Sequence, residues 1–166
     1  MHALLNRPLM IVALVFATAV PSAQAEENAA AKVVHEFLAS WDSHDIDKIM
    51  AFVSDDCHYE NVPSLSGDNP VIMGRQKMHE FLAPFFIKDP LIVPFTVRTE
   101  IKDTIAGGDG VAIQRVDHFA IGNSKFALQV AGLFKVKEGK IVYWIDYFDG
   151  AAIAPVTTLM TTLAKQ

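Results

Sequence analysis

In the stretch from residue 28 to residue 86, apolar side chains recur mainly at helical intervals; from Leu91 onward they recur at every second position. Val33, Phe37 and Trp41, with Val34 and Leu38 beside them, predict an amphipathic helix, and Glu26, Glu27 and Asn28 place acid and a capping side chain before its alanine-rich start. Ser43-His44-Asp45 breaks the pattern and offers Asp45 as the cap of a shorter helix carrying Ile46, Ile49, Met50 and Val53. Cys57 to Pro63 reads as a short strand with Cys57, Tyr59 and Asn61 on one face, and Ser64 to Pro70 as a loop. Gly74-Arg75 then opens a third helix with Met78, Phe81, Leu82, Phe85 and Phe86 on its apolar stripe, ended by Lys88-Asp89-Pro90.

The period-two region divides into four long strands: Ile92 to Asp103, Gly110 to Gly122, Ser124 to Lys137 and Lys140 to Asp149. Short glycine-bearing turns separate them, which makes consecutive strands antiparallel neighbours. The expected architecture is α+β: N-terminal helices packed in a strongly curved, mixed or antiparallel sheet that forms a cone with an interior pocket. The tail from Ala151 to Gln166 is mildly apolar and fits either a lid or a frayed helix, so the domain is drawn as 26–152 with a C-terminal tail at 153–166.

Alternation puts Val111, Ile113, Arg115, Asp117, Phe119 and Ile121 on one face of their strand. A lone charge taken out of water costs several kcal/mol unless paired, so Arg115 and Asp117 on an otherwise apolar face should neutralise each other. Taken alone, such a pair equally suits a buried ion pair that fixes strand register. The last strand adds a second carboxylate, because Val142, Trp144, Asp146 and Phe148 share a face that reads as the inner one. Its other face, Ile141, Tyr143, Ile145 and Tyr147, is also apolar, which predicts a homodimer packed through the outer side of the sheet. The inner surface then gathers Tyr59, Asn61, Arg115, Asp117 and Asp146 inside walls that include Trp144, Phe148, Phe119, Ile113 and Phe134. Two carboxylates from what read as neighbouring strands, flanking one guanidinium in an apolar hollow, should share one proton. One Asp then donates while the other accepts. Tyr59 and Asn61 each offer a donor and an acceptor with which to hold a water against the ionised carboxylate.

Composition narrows the setting. Arg7, the apolar run from Leu9 to Ala17 and the ending Pro21-Ser22-Ala23-Gln24-Ala25 read as a secretory leader, residues 1–25, too short in its apolar part for the roughly 20 residues of a membrane span. Cleavage after Ala25 removes 25 of 166 residues, leaves 141, takes the formal charge from −5 to −6 and implies a secreted or periplasmic protein. An acidic domain with scattered lysines gives no reason to expect nucleic acid, or a membrane after cleavage, as a partner. Cys57 is the single cysteine, so no internal disulfide forms, and it reads as a small buried thiol. No HExxH, GxSxG or phosphate-binding glycine loop is present, and His35-Glu36 and His79-Glu80 are explained by exposed helix faces; no metal or cofactor is expected.

Four segments in order, Tyr59-Glu60-Asn61-Val62-Pro63, Gly74-Arg75, Arg115-Val116-Asp117 and Trp144-Ile145-Asp146-Tyr147-Phe148-Asp149, resemble the limonene-1,2-epoxide hydrolase family, over about Ala30 to Asp149. The resemblance implies the cystatin-like cone of the superfamily named after nuclear transport factor two, which includes the SnoaL-like proteins. It also implies one-step opening of a small lipophilic epoxide by water to a vicinal diol, with no covalent intermediate. By the same resemblance Asp146 is the base acting on water, Tyr59 and Asn61 position that water, Asp117 protonates the epoxide oxygen and Arg115 bridges the two carboxylates. Two alternatives stay open on the same cone: a ketosteroid-isomerase-like or polyketide-cyclase-like enzyme, and a periplasmic binding protein for a small apolar ligand.

Overall fold

Asn28 accepts hydrogen bonds from the backbone N–H groups of Ala30 and Ala31 at 2.9 and 3.1 Å, and this cap starts α1 (Ala29–Ser40) as the pattern predicts. The structure is a computed structural model that describes residues 28–65, 69–86, 95–121 and 123–163; the leader and the Lys88-Asp89-Pro90 stop lie outside the described residues. A 3-10 turn (Trp41–Ser43) follows α1, His44 takes a left-handed φ of 49°, and Asp45 caps α2 (Ile46–Met50) through the N–H groups of Asp47 and Lys48. Val53, expected on that second helix, instead opens strand β1 (Val53–Val62). The carbonyl of Phe52 accepts from the N–H of Ile141 at 2.8 Å, so the chain is already committed to the sheet there.

A three-residue strand, β2 (Val71–Met73), pairs antiparallel with β1 and is too short to leave a periodic trace in the sequence. The third helix, α3 (Arg75–Leu82), passes into a 3-10 turn (Ala83–Phe86) instead of running on to Phe86. Pro84 explains the change, because it has no N–H to return to the carbonyl four residues earlier. Four long strands complete the sheet: β3 (Phe95–Gly107), β4 (Gly110–Ile121), β5 (Ser124–Lys137) and β6 (Lys140–Phe148). Their order is β2-β1-β6-β5-β4-β3, antiparallel throughout except for β1 beside β6, so the six-stranded sheet is mixed.

The helices fill the concave side. Phe37 of α1, fully buried, sets its ring edgewise to Trp144 at 5.1 Å and to Phe134 at 6.2 Å. A smaller cluster joins Leu128 and Val130 of β5 to Ile153 and Val156 of a last helix, α4 (Gly150–Leu163). The described part of the tail is therefore a helix packed through Ile153 and Val156, and the boundary drawn at residue 153 falls inside it.

The alternation read along β6 needs one correction. Ile141, assigned to the outer face, is fully buried in the core, whereas Val142, assigned to the inner face, is only partly buried and stands outside that core. Register shifts between Lys135 and Val136 on β5 and between Val53 and His58 on β1 slip the pairing beside these residues, and the expected faces resume at Trp144.

Candidate active site

Arg115 and Asp117 leave the same face of β4, and Asp146 leaves the corresponding face of β6; their exposures are 4, 8 and 4%. Contrary to the expectation of neighbouring strands, β4 and β6 do not pair, because β5 lies between them. Arg115 closes the gap. Its Nη1 and Nη2 donate to Oδ1 and Oδ2 of Asp146 at 2.8 and 2.7 Å, and its Nε donates to both oxygens of Asp117 at 3.1 Å each.

The guanidinium lies over Gly132, the β5 residue paired with Asp146 on one side and Ile113 on the other. A Cβ at position 132 would stand 2.5 Å from Arg115 Nη1 and 3.0 Å from Asp146 Oδ1. The sequence reading missed Gly132, although a lone glycine inside a strand is itself a signal of close approach. It also missed Thr99, directly opposite Asp117 on β3, whose Oγ1 donates to Asp117 Oδ1 at 2.8 Å.

Parallel pairing of β1 with β6 sets Tyr59 opposite Trp144 and Asn61 opposite Asp146. Tyr59 Oη donates to Asn61 Oδ1 at 3.1 Å, so the carboxamide is oriented with its Nδ2 as the free donor. Nδ2 is buried and, among the described residues, donates to no protein group; the indole N–H groups of Trp41 and Trp144 are in the same position. The surrounding cavity is walled by aromatic and aliphatic side chains that include Trp144, Phe148 and Phe119. Ile113 and Phe134, expected as walls, do not line it; they belong to the core that α1 covers, where Phe37 occupies the space in front of Phe134.

Burial raises the pKa of Asp117, with the Asp146 charge acting in the same direction, while Arg115 and the Thr99 hydrogen bond oppose the rise without cancelling it. Burial works against the charge on Arg115, but Asp146 and Asp117 outweigh it and hold the guanidinium firmly protonated. Burial, then the Asp146 charge, pushes the Tyr59 phenol well above its ordinary value, so it stays a neutral O–H. The arrangement thus holds one fixed cation and two carboxyl groups in unequal surroundings, as acid and base at one pH require. Elsewhere, Cys57 is fully buried with its thiol pushed up to about 12, chiefly by burial, and is chemically quiet. His79 pairs with Asp47 at 3.4 Å and His35 with Thr104 at 2.9 Å, away from the cavity.

The family model for the limonene-1,2-epoxide hydrolase catalytic domain matches residues 28–158, from the cap of α1 through β6 into α4. The chain belongs to the limonene-1,2-epoxide hydrolase family. Epoxide hydrolase EphG of Mycobacterium tuberculosis (strain ATCC 25618 / H37Rv) is 33% identical to this family member over 118 residues, 70% of either chain. The structure of an LEH-like epoxide hydrolase from M. tuberculosis superposes with a TM-score of 0.62 at 26% identity, covering 83% of this chain and 97% of that one. A protein with a ketosteroid-isomerase-like fold from Catenulispora acidiphila DSM 44928, 19% identical with a TM-score of 0.59, covers 76% of this chain and 92% of its own. That likeness is one of fold alone. Membership of the limonene-1,2-epoxide hydrolase family makes this protein a hydrolase, of the epoxide-opening kind in general.

Proposed function

We propose that the protein adds water in one step to a small lipophilic epoxide, giving a vicinal diol. The observation that carries this reading is the Asp146–Arg115–Asp117 bridge inside an apolar cavity, beside an Asn61 amide whose N–H has no acceptor among the described residues. Asn61 Nδ2 and the Tyr59 phenol orient a water against Asp146, whose two charge-assisted bonds from Arg115 suit an ionised carboxylate. Asp146 takes one proton from this water as its oxygen bonds to an epoxide carbon; the ring C–O bond on that carbon breaks, and the released oxygen takes the proton of Asp117. The trio begins and ends with the same net charge, so no charge is created in the low-dielectric interior during the step. The apolar walls favour a lipophilic substrate by excluding water from all but this polar corner.

Limonene oxide, styrene oxide and cyclohexene oxide in oxygen-18 water provide the test. Diol carrying one solvent oxygen in a single turnover, with enzyme in excess, is the expected result. Unlabelled diol in that first turnover would mean that an enzyme carboxylate attacks, and no diol from a broad epoxide panel would defeat the assignment altogether.

We also propose that the outer face of the sheet meets a second copy of the chain. Leu133 and Tyr147 are 41 and 43% exposed there, beside the buried Val116 and Ile145, which supports an apolar contact centred on β5 and β6. Sedimentation should give a dimer in the wild type and a monomer for Leu133→Glu. A wild type that sediments as a monomer at tens of micromolar rules this pairing out.

A further inference from the structure

We propose that Thr99 is a positioning residue that places the proton of Asp117 on Oδ2 and so fixes the edge from which that carboxyl meets its substrate. The inference rests on the epoxide-hydration reading above for its catalytic meaning, but its core is a statement about one carboxyl group.

The two oxygens of Asp117 are unequal. Arg115 Nε approaches both at 3.1 Å and does not distinguish them. Thr99 Oγ1 does, reaching Oδ1 alone at 2.8 Å from the facing position on β3. Oδ1 thus accepts two hydrogen bonds and Oδ2 only its share of one. Negative charge is better stabilised on the doubly bonded oxygen, so the proton settles on Oδ2. Among the described residues, the charged or titratable groups around Asp117 are Arg115 on its own strand, Asp146 on β6 and the Tyr59 phenol on β1; the cavity residues from α1, α3 and α4 are uncharged. His118, next along β4, turns to the opposite face and pairs with Glu100 at 3.0 Å. Among the described residues, the Thr99 hydroxyl is therefore the group that breaks the symmetry of this carboxyl.

Thr99 also favours the ionised form of Asp117, which gives the device a sign. An acid works only while protonated, so activity declines as pH rises through its pKa. Removing a hydrogen bond to the carboxylate raises that pKa and carries the alkaline limb upward. Thr99→Val keeps the shape and deletes the donor, Thr99→Ser keeps the donor, and Thr99→Ala serves should valine fail to fold. In Thr99→Val, or in Thr99→Ala in its place, the alkaline limb of kcat/KM should move up by about one to two pH units, the change expected for one hydrogen bond to a charged group. Oxygen-18 delivery to an unsymmetrical epoxide should also become less selective between the two ring carbons, and Thr99→Ser should match the wild type in both respects. A loss of rate with the limb unmoved would make Thr99 a packing residue and overturn the proposal. If the wild type opens no epoxide, the function is wrong, and carbon-13 titration of the Asp117 carboxyl still decides this point. An upward shift in the variant lacking the donor, absent in Thr99→Ser, upholds it; coincident curves end it.

Discussion

Asp146→Asn should lower kcat for epoxide hydration by a factor of about a thousand or more while leaving a folded protein. Loss of a general base alone accounts for about 10²–10⁴. The remainder follows from proton sharing. With both carboxyl groups present around one guanidinium, burial keeps one of them protonated, and Asp117 is the one whose pKa is raised. Once Asp146 is neutral, Arg115 and Asp117 form a balanced pair, and the Asp146 charge no longer adds to burial in raising the pKa of Asp117, so its proton is held less firmly. On the proposed mechanism one substitution thus removes the base at one end of the bridge and weakens the acid at the other. Asp117→Asn should be comparably inactive, and the double variant scarcely worse than either single one, because each already disables the same unit. Diol formation and thermal melting measured on the same preparation check this. A melting point within about ten degrees of the wild type with activity lost is the expected pair, since of the two bonds from Arg115 one passes to the neutral amide oxygen and the other is lost, while the Arg115–Asp117 pair remains. Retention of more than a tenth of the activity would remove Asp146 from the chemistry.

The bridge was legible in the sequence because buried charge is conspicuous on an alternating apolar strand. Arg115, Asp117 and Asp146 each interrupt a row of large apolar side chains, and the structure finds all three at most 8% exposed. The capping side chains of Asn28 and Asp45 were legible for a similar reason, since their function is local. What escaped the sequence depends on distant pairing. Only the order β1-β6-β5-β4 puts Asn61 opposite Asp146 and inserts a strand between the two carboxylates, and nothing near either residue encodes that order. Ile141 was misassigned because a slip in register breaks the period-two rule without leaving glycine or proline as a marker. Ile113 and Phe134 were misplaced because alternation tells which face a side chain takes, while their depth along the cone is set by where Phe37 packs.

Gly132→Ala should cost about a hundredfold or more in activity and destabilise the fold by roughly 1–3 kcal/mol, the range for forcing atoms into a packed interior. In a strand the exchange of glycine for alanine ordinarily stabilises, because the unfolded chain loses freedom. Here the sign reverses for want of space. The added methyl would meet Arg115 Nη1 at 2.5 Å, Phe134 Cε2 at 2.8 Å and Asp146 Oδ1 at 3.0 Å. Phe134 has little room to retreat, being stacked on Trp144 at 5.9 Å and edged by Phe37 at 6.2 Å. The guanidinium must then lift from β5, lengthening the 2.8 and 2.7 Å bonds that tie it to Asp146. A second variant separates the two clashes: adding Phe134→Leu should return part of the stability, because it relieves the aromatic contact, and none of the activity, because the methyl still stands beneath Arg115. Urea titration gives the first quantity and diol formation the second. An active Gly132→Ala enzyme would show that the bridge need not lie across β5 during turnover, and the close fit of Arg115 over residue 132 would then belong to the resting protein alone.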